Sequence, residues 1–337
     1  MQVTVLEEDI EDIIDRFPFC SDIVGKSFLI TGGTGLIGSL LIKSLVAINR
    51  KYDINIKVYA FARDREKVEA MHFDPMVRWF IQDMSQPILM KDRVDFIIHA
   101  ASPTQTEFLA KQPVETMENN MYAAVNLLHY AKNFHSKLTY LSSVEVYGQI
   151  LDGATMQETD YGTIDSLNVR NGYPLIKKLI ECAIVSYAKE YGVDCNICRL
   201  TQTFGPGVSN GDNRIFMQIA KAAIQHKNIV LHTTGESSKP YVYTVDAILG
   251  IFYILLKGTA GEAYNLANDA TYISVKDMAQ RVLNAFGGSQ VIIEPQNSTH
   301  YAPISKFNLN TIKLRQLGWR PKYDLMAMYD RLIKYLK

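Results

Sequence analysis

Short apolar runs alternate with longer segments of helical period along the first two thirds of the chain. The runs at 27–30, 56–61, 77–81, 96–99, 138–142 and 195–200 are nearly continuous in hydrophobic residues, as in strands covered on both faces. Between them, 36–46, 114–131 and 175–191 repeat apolar residues three and four apart, the pattern of helices with one buried face. Strands joined through helices pair in parallel, so the expected fold class is α/β, a doubly wound parallel sheet. Past 206 the alternation loosens into helical stretches at 215–226, 245–256 and 275–286, which reads as a smaller, interleaved α/β C-terminal domain. The expected organisation is an acidic N-terminal extension at 1–24, the doubly wound domain at 25–205 with a later strand returning to it near 241–246, and 206–337 mainly a second domain.

The turn after the first strand reads Thr31-Gly32-Gly33-Thr34-Gly35-Leu36-Ile37-Gly38. Glycines at 32, 35 and 38 suit a tight strand-to-helix turn, a close backbone approach by a pyrophosphate and close packing of helix on strand. The sheet is therefore read as Rossmann-type, with Gly32, Thr34, Gly35, Leu36, Ile37 and Gly38 as the cradle of a dinucleotide. At the second strand exit Ala62 takes the place of the acidic residue that accepts ribose hydroxyls, and Arg63 follows it, which favours the 2′-phosphate of NADP over NAD. The other reading makes Arg63 and Arg65 solvated charges opening a helix and Asp64 the ribose acceptor, and leaves NAD possible. Further along the strand ends, Asp83 and Met84, the small residues Ala100, Ala101 and Ser102 before Pro103, and Leu200 are candidate cofactor contacts. His99 reads as a packed strand-end histidine.

The fifth apolar run ends in Ser142-Ser143, and a helix begins at Tyr173-Pro174-Leu175-Ile176-Lys177. Tyrosine and lysine four apart share a helical face. An ammonium beside the phenol is expected to lower its pKa, making Tyr173 an acid/base for a carbinol oxygen that Ser143 also holds while hydride moves to or from nicotinamide. Composition adds exclusions. The 35 Lys and Arg balance 35 Asp and Glu, which argues against a nucleic-acid partner, and no apolar run approaches the ~20 residues of a membrane span. An acidic start without a secretory pattern points to the cytoplasm. Cys195 and Cys198 fall three apart in a strand, on opposite faces, so they read as core filler and no metal is expected.

With these motifs in view, the chain resembles the extended short-chain dehydrogenase/reductases, the nucleotide-sugar epimerase and dehydratase family, from about Ser27 to Pro321. The Ser143-Val144-Glu145-Val146-Tyr147-Gly148 segment, His99–Pro103, Thr203–Pro206 and Asp212–Arg214 are most similar to UDP-glucuronate decarboxylases, then to dTDP-glucose 4,6-dehydratases. The resemblance implies that Ser143, Tyr173 and Lys177 serve hydride transfer at a sugar carbinol, that Asn120 supports the lysine or cofactor, and that Glu145 lies over the sugar. It also implies a nucleotide-diphosphate-linked substrate near Ser143, Glu145, Gln202, Arg214 and Lys239, and a homodimer through the helices at 114–131 and 175–191. Three departures stand out: Val144 replaces the dehydratase acid, Gln202 a common asparagine, and Lys239 the arginine that meets the diphosphate. Lysine cannot reproduce an arginine fork, and Arg214 is the candidate to compensate. The leading expectation is an NADP(H)-dependent keto-reductase or epimerase of a nucleotide-linked sugar or ketose, as in capsule precursor pathways. The alternatives are a redox-neutral UDP-glucuronate-decarboxylase-like enzyme with tightly held NAD, and a non-catalytic dinucleotide-binding regulator.

Overall fold

The computed structural model describes residues 4–102, 111–296 and 304–337. In chain order the strands are β1 (Ser27–Thr31), β2 (Lys57–Ala62), β3 (Val77–Ile81), β4 (Phe96–His99), β5 (Lys137–Ser143), β6 (Thr155–Met156), β7 (Cys195–Leu200), β8 (Gln202–Phe204), β9 (Ile229–Leu231), β10 (Ser238–Tyr243), β11 (Ala263–Leu266), β12 (Asn268–Ser274), β13 (Val291–Ile293) and β14 (Asn308–Leu309). The helices are α1 (Val5–Asp15), α2 (Leu36–Tyr52), α3 (Arg65–Ala70), α4 (Pro113–Phe134), α5 (Gly172–Tyr191), α6 (Ile215–Ile224), α7 (Thr244–Lys257), α8 (Val275–Phe286), α9 (Ile312–Gln316) and α10 (Leu325–Leu336).

Seven strands form one parallel sheet in the order β11-β7-β5-β4-β1-β2-β3. The order reverses between β1 and β4, which opens a crevice at their carboxyl ends, where α/β sheets of this kind bind ligands. Both faces are covered, which is why the strands read as continuous apolar runs. On one face Leu29, Ile97, Leu138, Tyr140 and Ile197 pack beneath Leu127 and Leu128 of α4 and Ile176 and Ile180 of α5. On the other, Phe28, Ile30, Ile98 and Leu141 meet Leu41 and Leu45 of α2 and Ile248 and Ile251 of α7. Cys195 belongs to the first core and Cys198 to the second, as their spacing in a strand requires. Among the described residues no helix is long and apolar enough to cross a membrane.

The strand that returns to the large sheet is β11, beside β7, rather than one near 241–246. The run at 241–246 divides: Tyr241, Val242 and Tyr243 end β10, which pairs with β8 and β12 in a smaller sheet, while Thr244 opens α7. Its uniform burial conceals that change of element, because strand end and helix start are both interior.

The acidic start forms α1, closed by a capping box in which Thr4 and Glu7 satisfy each other's backbone N–H groups. Its carboxylates face the C-terminal part of the chain. Buried Asp9 accepts from the Tyr243 hydroxyl at 2.5 Å and from Arg331 at 2.8 Å, and Asp12 accepts from Lys322 and Tyr323. Arg16 donates to Asp246 at 2.8 Å. The apolar face, with Ile13 and Ile14 and then Phe17 and Phe19, joins the core shared with α2 and α7.

Candidate active site

The glycine turn occupies the mouth of the crevice. Gly32 has φ +67°, and a Cβ there would lie 2.9 Å from the backbone of Ala100 and Ala101, so only glycine brings the exits of β1 and β4 this close. A Cβ on Gly38 would lie 2.2 Å from the Gly32 carbonyl oxygen, which makes it the packing glycine of the turn. Gly33, absent from the expected cradle, is pinned as well: a Cβ there would meet the Trp79 ring at 2.8 Å. Gly35 is the N-cap of α2 and supplies no side-chain cap, so the first turn of that helix presents uncapped N–H groups beside Leu36 and Ile37. This cradle fits a pyrophosphate.

At the next exit Ala62 ends β2 buried, and Arg63 is exposed directly after it. Asp64 caps α3, its carboxylate accepting from the Lys67 N–H at 3.1 Å. Asp83 is exposed and accepts from the Ser85 N–H at 2.8 Å, while Met84 is buried and its carbonyl accepts from Asn126 at 3.0 Å. Leu200, half-buried, ends β7. Pro103 lies outside the described residues.

Ser143 ends β5, Tyr173 stands in the first turn of α5, and Lys177 follows one turn later. The hydroxyls of Ser143 and Ser102 lie close enough to act on the Tyr173 phenol, each favouring its ionised form. Asn120 holds Ser102. Its Nδ2 donates to the Thr116 carbonyl at 2.7 Å, which leaves Oδ1 to accept from the Ser102 hydroxyl at 2.8 Å. Ser102 thus lies between Asn120 and the tyrosine, and the Lys177 ammonium donates to the Leu141 carbonyl at 2.9 Å.

The electrostatics differ from expectation. The phenol of Tyr173 is raised above its ordinary range, chiefly by burial and then by Glu145, with the Ser143 and Ser102 hydroxyls opposing. Lys177 falls to about 7, again because burial penalises the charged form, although Glu181 and Glu145 pull the other way. In the protein alone, desolvation is the largest influence on both groups. His99 is buried neutral: burial and the nearby Lys177 bring it to about 3, and its Nδ1 sits 2.8 Å from the Thr31 hydroxyl. Thr31 Oγ1 also accepts from the Ala101 N–H at 3.1 Å.

Glu145 is exposed in the 144–147 turn, its N–H donating to Ser143 Oγ at 3.2 Å. Val144 beside it is buried with Val146, Tyr147, Met156 and Phe307. Lys239 lies on β10 with its ammonium 5.4 Å from the centre of the Phe307 ring. Gln202 opens β8, half-buried, in register with Tyr241. Arg214 is engaged by its own neighbour: Asp212 accepts from its guanidinium at 2.6 to 3.1 Å and stays below the usual carboxylate range through those bonds, against the desolvation that burial imposes.

A buried network behind the site escaped the motif reading. Glu181, one turn beyond Lys177, accepts from Ser142 at 2.6 Å and from the Arg199 guanidinium at 2.8 to 3.3 Å. Arg199 also donates to the Tyr147 hydroxyl at 3.0 Å, which itself donates to Asn265 at 2.8 Å. The signal was a charged residue at an interior strand position and a glutamate on the buried face of α5.

Sheet order, glycine turn and the Ser143–Tyr173–Lys177 grouping together define an extended short-chain dehydrogenase/reductase. The chain belongs to the NAD dependent epimerase/dehydratase family, whose sequence model matches residues 28–267. It is 26% identical over 297 residues to UDP-glucuronic acid decarboxylase 3 of Arabidopsis thaliana, covering 88% of this chain and 85% of that one. It is 25% identical over 321 residues to UDP-glucuronic acid decarboxylase 1 of Xenopus tropicalis, covering 95% and 74%. Among solved structures, the fold resembles the dTDP-glucose 4,6-dehydratase DesIV of Streptomyces venezuelae, which has NAD and TYD bound (TM-score 0.77, 22% identity, 92% and 96% covered). It also resembles the UDP-glucose 4-epimerase of Thermotoga maritima with UDP-glucose (TM-score 0.78, 18% identity, 92% and 98% covered).

Proposed function

We propose that the protein acts at a secondary carbinol or ketone of a nucleotide-diphosphate-linked sugar or ketose, as an NADP(H)-dependent keto-reductase or epimerase. The observation that carries this reading is the Tyr173 hydroxyl beside Ser143 and Ser102 at the crevice mouth, with Lys177 beneath it. When bound, the nicotinamide supplies or accepts the hydride. Tyr173, protonated in neutral solution as an unperturbed phenol also is, donates its proton to the oxygen of a carbonyl undergoing reduction, and Ser143 holds the same oxygen. Ser102 and Asn120 fix the phenol's orientation. Gly32, Gly35 and Gly38 would hold the pyrophosphate against α2, and Arg63 the 2′-phosphate, since no carboxylate ends β2 and Asp64 is committed to capping α3. Val144, buried among apolar side chains, leaves no acid at the dehydratase position, which argues against dehydration.

The second reading is a redox-neutral decarboxylase with tightly held NAD. The Arabidopsis and Xenopus relatives favour it, as does Glu145 at the open face. In either reading exposed Val114, Met117 and Tyr122 of α4 and Leu179 of α5 support a homodimer through these helices. Tyr173→Phe tests the shared core. Turnover is expected to fall by about 10²–10⁴ with dinucleotide affinity unchanged. Near-parental turnover removes Tyr173 as the acid/base.

A further inference from the structure

Lys177 is fully buried, yet among the described residues no carboxylate pairs with it. Glu181, one turn away, is taken up by Arg199 and Ser142. Its ammonium has the Leu141 carbonyl at 2.9 Å and two aromatic faces, Tyr140 with its centroid at 4.6 Å and Tyr173 at 5.6 Å. A cation over a desolvated ring is held by the ring quadrupole, and Tyr140 is the closer ring.

Tyr140 is itself connected. It is in register with His99 on the adjacent strand, as His99 is with Thr31, so the three side chains form a row across β5, β4 and β1 on the face beneath α4 and α5. The His99 and Tyr140 rings lie 5.5 Å apart, and two buried polar atoms of this row, His99 Nε2 and the Tyr140 hydroxyl, lack any other partner. Thr31 Oγ1 accepts from the Ala101 N–H, and in the tautomer in which its own proton goes to His99 Nδ1, Nε2 carries the ring proton. Among the described residues His99 Nε2 and the Tyr140 hydroxyl have no partner within hydrogen-bond distance, and one buried water between them would satisfy both.

We propose that Tyr140 is a positioning residue for Lys177: its ring face keeps the lysine charged beneath Tyr173, and His99, oriented by Thr31, holds that ring by its hydroxyl. This rests on the functional reading only for its purpose, since the charge state of a buried lysine is measurable without substrate or dinucleotide.

The test is an NMR titration of the full chain carrying ¹³C-labelled lysine, with the Lys177 signal assigned by its loss in Lys177→Met. The parent is expected to titrate near 7. Tyr140→Leu removes the ring and moves the midpoint down by about one pH unit, whereas Tyr140→Phe keeps the ring and stays near the parent. If Tyr140→Leu does not fold, a series of fluorinated phenylalanines at 140 preserves shape while draining the ring face, and the midpoint should fall step by step. A midpoint that ignores ring loss or fluorination, or an equal shift in Tyr140→Phe, overturns the proposal. Loss of turnover in Tyr173→Phe is independent of this result, so each can fail alone.

Discussion

Two parts of the candidate site are built differently. At the β5–α5 end, Ser143, Tyr173 and Lys177 sit on the carboxyl end of a central strand and the first turns of a long helix, tied to Ser102, Asn120 and the Leu141 carbonyl. Behind them Glu181 and Arg199 bolt α5 to β7. At the other end, Gln202, Arg214 and Lys239 are half-buried, and the charged pair are occupied by Asp212 and by the Phe307 ring. The first end follows the family motifs, and the second departs from them at two of its three residues. A general acid needs one geometry for any carbinol, whereas the groups that meet a nucleotide and sugar must differ with the ligand.

The largest test of that contrast is Arg199→Met. It strands the Glu181 carboxylate in the interior with only Ser142, and should cost about 3–5 kcal/mol in chemical denaturation. Arg199→Met with Glu181→Leu should recover most of it. A loss of under about 1 kcal/mol in the single variant would show that the end behind Tyr173 is not the rigid one.

Next comes Ala62→Asp with Arg63→Ala. Restoring a carboxylate at the end of β2 and removing the cation should shift the affinity ratio of NADP to NAD toward NAD by about ten- to a hundredfold, measured by fluorescence titration. No shift would mean the 2′-phosphate is read elsewhere. The smallest effect is expected from Lys239→Arg. A guanidinium restores the fork, and the Michaelis constant for a nucleotide-linked substrate should fall by roughly threefold to tenfold with kcat little changed. A change in kcat instead would tie Lys239 to the reaction end.

Much of the reaction end was legible because it depends on spacing. Tyr173 and Lys177 four apart in a helix, and glycines at 32, 35 and 38, each demand one backbone geometry. β4 and β7 were found at their full bounds, since a strand buried on both faces is a simple apolar run, and β3 was found at its full bounds as a half-exposed edge strand. The returning strand was misplaced because β11, with Asn265 in its middle, is less apolar than the run that joins β10 to α7. The roles of Ser102, Tyr140 and Arg199 depend on contacts across strands distant in sequence, which no local pattern carries. The direction of the Tyr173 shift was missed because spacing identifies a charged neighbour but not how much water burial removes.

The most direct test follows the reduced nicotinamide by absorbance while the protein meets NADPH and nucleotide-linked keto sugars, with UDP-glucuronate assayed alongside. Loss of NADPH in step with formation of a reduced nucleotide-linked product is the result predicted for the reductase. Carbon dioxide released from UDP-glucuronate with no net loss of NADPH would contradict it.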